Sequence, residues 1–474
     1  MQPILANELC KDLGSFSDNP QITGVITDSR EAAPGTLFVC IKGERVDGHD
    51  FALAALQKGA AGILCQHDVE GVPQEKRILV KDPLDAMIQM GANYREHFSP
   101  LLLGVTGSVG KTTTKEFCYA VCSAFGSTLK TEGNQNNEIG VPKTLFRLDS
   151  TIRYGVVEMG MQALGEIEKL TLAVRPAGGI ITWVGQSHLE SLGTRENILK
   201  AKMEICDGMP DGAPLVINAD NDLLSVAKVP QRLRRVTFAV HTDADVRAVG
   251  IQGDEKGTHF TICDKEFGSF PAFIPAMGEH NVADALSAYA LATRLGLDPE
   301  RAAQALANYS TTGHRQNVVQ HCGVTVIEDC YNASPDSMKA ALRTLADYPV
   351  CGRRIAVLGD MFELGEISQQ AHESVGVMAA QAGVDWLLTV GEAAQDISRR
   401  ASQLGVNAVH CSDKAEVLAR LLSQVKAGDA LLVKASHGMA LETILEGFYK
   451  QFQNTTGVQD KIAGECKSWK NSRF

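Results

Sequence analysis

Between Leu101 and Asn218 short apolar runs alternate with segments whose apolar positions recur every three or four residues. The runs LLLGVTG, YGVVEMG, GGIITWVG and APLVIN are bounded by Gly or Pro and predict buried strands. The intervening GKTTTKEFCYAVCSAF, EIGVPKTLFRL and TRENILKAKMEICDGM predict helices. Such an alternation predicts a parallel sheet covered by helices. Over 235–275 the runs RVTFAV, THFTIC and GSFPAFIP predict antiparallel strands, followed by the helix HNVADALSAYALATRLG.

The flanking regions carry their own patterns. In residues 1–99, GVITDSR, GTLFVCI, GILC and RILV predict short strands, and FALAALQKGA and DPLDAMIQMGANYREHF predict helices. From near residue 314, the strands IAVLGDM, WLLTVG, NAVHC and ALLVKAS alternate with the helices SPDSMKAALRTLADY, QQAHESVGVMAAQAG, KAEVLARLLSQVKAG and ETILEGFYKQF, a second doubly wound unit. The expected fold is therefore α/β in three domains: a small N-terminal α/β domain (1–99), a central P-loop parallel-sheet domain (100–313) and a C-terminal Rossmann-like domain (314–453). Residues 454–474 are polar, lack periodicity and read as a loose tail.

A length of 474 residues suits about three domains. With 44% apolar and 21% charged residues the chain reads as globular rather than disordered. The net charge of −11 disfavours a nucleic-acid partner, and any anion must meet locally concentrated positive charge. No apolar run reaches the roughly 18 residues of a membrane span, and the first residues lack the basic flank and apolar core of a signal peptide. The 12 cysteines are scattered without CxxC pairs or zinc spacing, which predicts reduced thiols in a cytoplasmic protein. A monomer is expected.

The strongest chemical signal is LLLGVTGSVGKTTTKEF, a buried strand, a Gly-containing loop and a helix start. Backbone amides of Gly107, Ser108, Val109, Gly110, Lys111, Thr112 and Thr113 would cradle phosphate oxygens at the helix N-terminus. Lys111 would reach the β- and γ-phosphates, and Thr112 would hold Mg²⁺. The strict pattern wants Gly at 105, where Val105 stands, so this is a TGxxGKT variant. A guanine-specific N-K-x-D segment is absent.

The motifs beyond this loop resemble the Mur ligases, ATP-dependent amide-forming enzymes of peptidoglycan precursor synthesis. The matching stretches include TDSR, DGHDF, TGSVGKTTTKE, GNQNNEIGVPKTLF, VVEMG, SHLESLG, KAKMEI, GEHNVADAL, GHRQ, EDCYNASPDSM, GDMFELG and KASHGMALE, in family order. Among family members, GNQNNEIG and DxYNAxPxSM point to addition of D-alanyl-D-alanine to UDP-N-acetylmuramoyl-tripeptide. A paralogue adding another amino acid, a folylpolyglutamate synthetase and a nucleotide-dependent switch are the alternatives; the last two are disfavoured by residues 1–99 and by the missing N-K-x-D. His437 stands where the family often has Arg, and Asp284 where it often has Asn.

The resemblance also implies roles. ATP would phosphorylate the peptide carboxylate, and the dipeptide amine would displace phosphate. Glu158, at the end of its strand, would join Thr112 on Mg²⁺; read alone it is equally a solvated strand-end carboxylate. His188 would ligate a second Mg²⁺, although a loop histidine is more often simply hydrogen-bonded. Lys202 falls within the apolar arc of its helix and matches the family lysine that becomes a carbamate, a further ligand for that ion; otherwise its head would snorkel out. Asn136 and Asn137 would face the muramyl peptide and acyl phosphate. Asn281 would meet adenine, or merely cap its helix. Arg315 would reach the γ-phosphate, and Asp329, with Tyr331 nearby, the ribose. Asp28, Ser29 and Arg30 together with Asp47, Gly48 and His49 would contact the UDP-sugar, or serve as ordinary turn residues. The stretches Asp360 to Gly365 and Lys434 to Ser436, each just past a strand, would meet the incoming dipeptide and peptide carboxylates.

Overall fold

The computed structural model describes residues 1–452 other than 255, 312 and 314. The tail expected over 454–474 lies outside the described residues.

Near the N-terminus, Gly24–Ile26, Thr36–Val39, Gly62–Cys65 and Arg77–Leu79 form a four-stranded, all-parallel sheet. The helix Pro83–Arg95 closes this region; Asp82 caps it by accepting from Leu84 N, and Pro83 supplies a first residue with preset φ.

The largest sheet has nine strands. From one edge to the other these are Gly268–Ile274, Gly257–Asp264, Val246–Asp254, Arg234–Ala239, Pro214–Asn218, Gly178–Ile181, Leu101–Thr106, Tyr154–Glu158 and Thr128–Lys130. Seven of them, through Val246–Asp254, run parallel, and only the last two at the first edge pair antiparallel. The sequence-based expectation over 235–275 is thus corrected: RVTFAV joins the parallel part, and a strand with no clear apolar alternation, Val246–Asp254, lies between it and the antiparallel pair.

Leu101–Thr106 lies inside this sheet with Leu102, Leu103 and Val105 buried, which explains its unbroken apolar run. Its neighbours are Tyr154–Glu158 on one side and Gly178–Ile181 on the other; the chain first crosses to the edge strand Thr128–Lys130, returns through Tyr154–Glu158 and then passes to the opposite side of Leu101–Thr106. Its carboxyl end is therefore a switch point, where open α/β sheets bind ligands. The register sets Val105 beside Glu158 and Thr106 beside Ile181, so three strand ends open on one crevice. The helix Glu279–Arg294 packs beneath with Val282, Ala285, Leu286, Tyr289 and Leu291 buried.

The third sheet has the order Asn317–His321, Val324–Glu328, Ala430–Lys434, Arg354–Gly359, Trp386–Val390, Asn407–Cys411; all pairs but the first are parallel. Its register brings Asp329, Gly359 and Lys434 to one rim. Among the described residues ten cysteines are free thiols, most of them buried.

Candidate active site

At the end of Leu101–Thr106 the chain turns sharply. Gly110 has φ 84° and Gly107 lies against Thr182. A Cβ would stand 1.9 Å from Thr182 Oγ1 at Gly107 and 2.5 Å from Asp284 Oδ1 at Gly110, so only glycine fits either place. Ser108 N donates to Trp183 O (2.8 Å), Ser108 Oγ accepts from Gly185 N (3.0 Å), and Val109 O accepts from Thr182 Oγ1. The loop is thereby fixed to the neighbouring strand end. The helix Lys111–Ser123 follows with no side-chain cap, leaving its first amides facing the crevice.

Lys111 curls back, its Nζ donating to Gly107 O at 2.8 Å. Thr112 Oγ1 donates to Glu158 Oε2 (3.0 Å), and Asn136 Nδ2 to Glu158 Oε1 (2.8 Å). Glu158 is buried, and its own amide donates to Thr131 Oγ1 at 3.0 Å. Lys115, one helical turn past Lys111 and fully buried, brings its ammonium 3.9 Å from Glu158 and 3.3 Å from Glu116. Asn137 caps the following turn by accepting from Gly140 N (2.9 Å), which holds the GNQNNEIG loop against the crevice.

Across the crevice, His188 occupies left-handed backbone (φ 64°) at the start of the short helix Leu189–Leu192. Burial, then the charges of Lys111 and Lys202, push its imidazole down to about 4, so it is neutral near pH 7. Lys202 is 2% exposed on the helix Arg195–Met203, among buried Ile198, Ala201 and Ile205. Burial and Lys111 hold its amine well below the usual lysine range. The snorkelling alternative does not apply to a side chain so enclosed.

The third unit supplies the far wall. Arg315 lies 3.6 Å over the ring of Tyr331, which His437 flanks at 5.3 Å. Lys434 Nζ pairs with Asp329 Oδ2 at 2.8 Å and donates to Asn332 O at 2.7 Å. Burial nonetheless leaves the Asp329 carboxyl above its ordinary value. Asn281 is not a cap: Gly278 holds that place, and Asn281 Nδ2 donates to Met277 O (2.7 Å) and Gln316 Oε1 (3.2 Å). The resulting cleft is about 760 Å³. Ser108 to Thr113, Asn136, Asn137, Glu158, His188, Asn281, Arg315, Asp329, Tyr331 and Lys434 all line it.

Other candidates lie elsewhere. The Asp360 carboxylate turns into its own unit and accepts from Ala394 N (2.7 Å), while Ser436 Oγ accepts from Phe362 N (2.9 Å). In the N-terminal unit Asp28 pairs with Arg30 across the turn holding Ser29, and Asp47 with His49 across Gly48, each pair at 2.6 Å. His49 Nε2 also accepts from Gln66 N (3.0 Å). Lys115 and Gln316 are absent from the sequence-based set, and Glu363 falls within the stretch 360–365 expected to meet the dipeptide, with no role toward His188. Glu363 Oε2 lies 2.7 Å from His188 Nδ1. All three fall in quoted motif stretches, but only packing shows that they point inward.

Family models match along the chain: "Mur ligase family, catalytic domain" over 21–95, "Mur ligase middle domain" over 105–292, and "Mur ligase, glutamate ligase domain" over 314–437. The UDP-N-acetylmuramoyl-tripeptide–D-alanyl-D-alanine ligase of Bacillus subtilis (strain 168) is 37% identical, over 90% of this chain and 94% of its own. The ligase of that name from Escherichia coli (strain K12) is 36% identical, over 90% and 93%.

The chain belongs to the Mur ligase family.

Solved structures agree. MurF from Acinetobacter baumannii superposes with a TM-score of 0.87 at 28% identity, covering 95% of this chain and 99% of that one. MurF ligase from Thermotoga maritima in complex with ADP gives 0.82 at 30% identity, covering 90% and 97%. As a Mur ligase the protein is an ATP-dependent ligase, and the phosphate loop is the element of the cleft suited to the nucleotide. Among the described residues no helix is long and apolar enough to cross a membrane.

Proposed function

We propose that the chain joins D-alanyl-D-alanine to the terminal carboxylate of UDP-N-acetylmuramoyl-tripeptide through an acyl phosphate, in the cytoplasm. The observation that carries this reading is the convergence of Lys111, Glu158, His188 and Arg315 on one cleft between the central and third units. Carboxylate activation must hold the ATP phosphates and the carboxylate together, and Lys111 and Arg315 facing one cleft, with burial first and Arg315 second holding the Lys111 amine below its ordinary value, suit such anions. The relatives in Bacillus subtilis and Escherichia coli, named for this substrate pair, support the choice.

In this reading residues 1–99 hold the UDP-sugar through Asp28, Ser29, Arg30, Asp47, Gly48 and His49. Residues 100–313 hold ATP, and 314–453 close over it and bring the dipeptide. Lys111 and Arg315 neutralise the transferring phosphoryl group from opposite sides. Asn281 and Asp329, beside Tyr331, hold the nucleoside. Asn136 and Asn137 face the muramyl peptide. Lys434, held by Asp329 at the cleft wall, meets a substrate carboxylate, with Asp360 and Ser436 shaping the loops behind it. The carboxylate oxygen attacks the γ-phosphorus and ADP leaves; the dipeptide amine then attacks the acyl carbon, phosphate leaves, and the amine proton passes to solvent. Enclosure in the cleft keeps water from the acyl phosphate.

The residues present fit Mg²⁺. Thr112 and Glu158 offer adjacent oxygens where a strand end meets a helix start, and His188, neutral near pH 7, lines the same cleft with an imidazole nitrogen to offer. Mg²⁺ ordinarily keeps phosphates and waters among its ligands and takes only one or two from protein side chains. Thr112 and Glu158 would hold one ion; His188 and Lys202, as its carbamate, the other. Bound there, Mg²⁺ supplies positive charge to phosphate oxygens. Lys202 is suited to CO₂ because burial favours its neutral amine, and a carbamate would place an anion opposite a metal where a buried ammonium would be costly.

The test is phosphate release with a panel of UDP-muramoyl peptides and amine acceptors. Release requiring both UDP-tripeptide and D-alanyl-D-alanine is expected. Release indifferent to the dipeptide, or dependent on a single amino acid instead, would contradict the proposal.

A further inference from the structure

Two loops from different units meet at His188. In the central unit, His188 ends an extended loop in left-handed backbone, and Glu190 N donates to Glu363 O at 3.3 Å. In the third unit, Glu363 also has φ above zero (60°), and Gly365 packs on Glu190. Non-glycine residues in this region are held by their surroundings and gather at functional sites. The loop carrying Glu363 is firmly held: Phe362 N donates to Ser436 Oγ (2.9 Å), Met361 N to His372 Nε2 (3.0 Å) and Ala394 N to Asp360 Oδ1 (2.7 Å). Glu363 Oε2 thus stands 2.7 Å from His188 Nδ1, within ion-pair range but without the alignment of a hydrogen bond.

We propose that Glu363 is a positioning residue that orients His188 from across the seam between the central and third units. Its carboxylate receives the Nδ1 proton, fixes the ring, and leaves Nε2 as the donor atom for a divalent cation. A histidine that binds metal characteristically gives its other N–H to a carboxylate or carbonyl, which sets the tautomer and raises the basicity of the ligating nitrogen. Here that carboxylate belongs to the opposing unit, so the second cation site is complete only when the two units are together. The anchors on Asp360 and Ser436 then acquire a purpose: they hold the backbone that delivers Glu363. The proposal rests on the reading of His188 as a metal ligand.

The experiment uses Mn²⁺ as the probe, titrated by paramagnetic resonance into the full chain bound to a non-hydrolysable ATP analogue and UDP-tripeptide. Wild type, Glu363→Ala, Glu363→Asp and His188→Ala are compared. Glu363→Ala is expected to weaken the second Mn²⁺ about 10–100-fold, with the first unchanged and the melting temperature of the ligand-free protein preserved. Glu363→Asp should recover part of the loss, and His188→Ala combined with Glu363→Ala should bind no more weakly than His188→Ala alone. Second-ion affinity within twofold of wild type in Glu363→Ala, with His188→Ala clearly impaired, overturns the positioning role and leaves His188 a ligand. If His188→Ala also binds both ions normally, the ligand reading and the proposal fall together.

Discussion

The N-terminal turns and the phosphate loop are built alike, from small and charged residues just past parallel strands, yet they dispose of their charge in opposite ways. In the N-terminal unit Asp28 closes on Arg30 and Asp47 on His49, two residues away within one turn. Arg30 is 86% exposed, and its charge is answered before any ligand arrives. In the cleft Lys111 finds only a carbonyl, and buried Lys202, close enough to feel the Lys111 charge, has no ion-pair partner among the described residues. A pair closed within one turn is compatible with a stable fold and a shallow binding surface. Cationic groups crowded on a switch point are affordable only where an anion completes them.

The contrast breaks most sharply at Lys111. Lys111→Ala should lower turnover at least ~10³-fold, the effect of deleting a preorganised charge at a developing anion, while circular dichroism stays that of wild type. Near-normal turnover in the folded variant would refute the phosphate-loop assignment.

Lys202→Ala should lose roughly 10²-fold, and short carboxylic acids should restore part of it by standing in for the carbamate. Intact mass measured gently in bicarbonate should show one added CO₂ on the wild type and none on the variant. Full activity without rescue would end the carbamate proposal.

On the other side of the comparison, Arg30→Ala should raise KM for the UDP-peptide about tenfold, the effect of one charge-assisted hydrogen bond, and leave KM for ATP unchanged. Its melting temperature should stay within about 1 °C, because exposed ion pairs contribute little. A change in KM for ATP would show that the turn is not a separate site.

The smallest effect on activity is expected at Asp284, buried behind Gly110. Burial raises its carboxyl well above the usual range, so the folded protein keeps a proton that the unfolded chain releases near pH 4. Stability is unaffected below that pH and falls as pH rises above it. Asp284→Asn should flatten this slope in thermal melts and stabilise the protein at pH 7, with turnover within about twofold. An unchanged slope would mean that the carboxyl is ionised in the fold.

Much of this was legible in the sequence because chemistry and periodicity coincide there. LLLGVTGSVGKTTTKEF shows strand, loop and helix at once, and the apolar arc around Lys202 shows burial. Val246–Asp254 was not legible: only Val246 and Ala248 face inward before Gly250 and a register shift break the alternation. Val324–Glu328 was missed because five residues between polar ends carry too little pattern. At Asp360 the strand-end position is evident, but whether a carboxylate faces ligand or its own unit depends on Ala394, 34 residues away. Glu363 likewise stands in a recognisable motif, yet its approach to His188 spans two units and has no local signature.

The central claim, that the cleft activates a carboxylate as an acyl phosphate, has one most direct measurement. UDP-tripeptide carrying ¹⁸O in both oxygens of its terminal carboxylate is turned over with ATP and D-alanyl-D-alanine, and the released phosphate is weighed by mass spectrometry. The account predicts one ¹⁸O in each phosphate, because the oxygen that attacks the γ-phosphorus leaves with it. Phosphate free of label, at full stoichiometry of ligation, would contradict it.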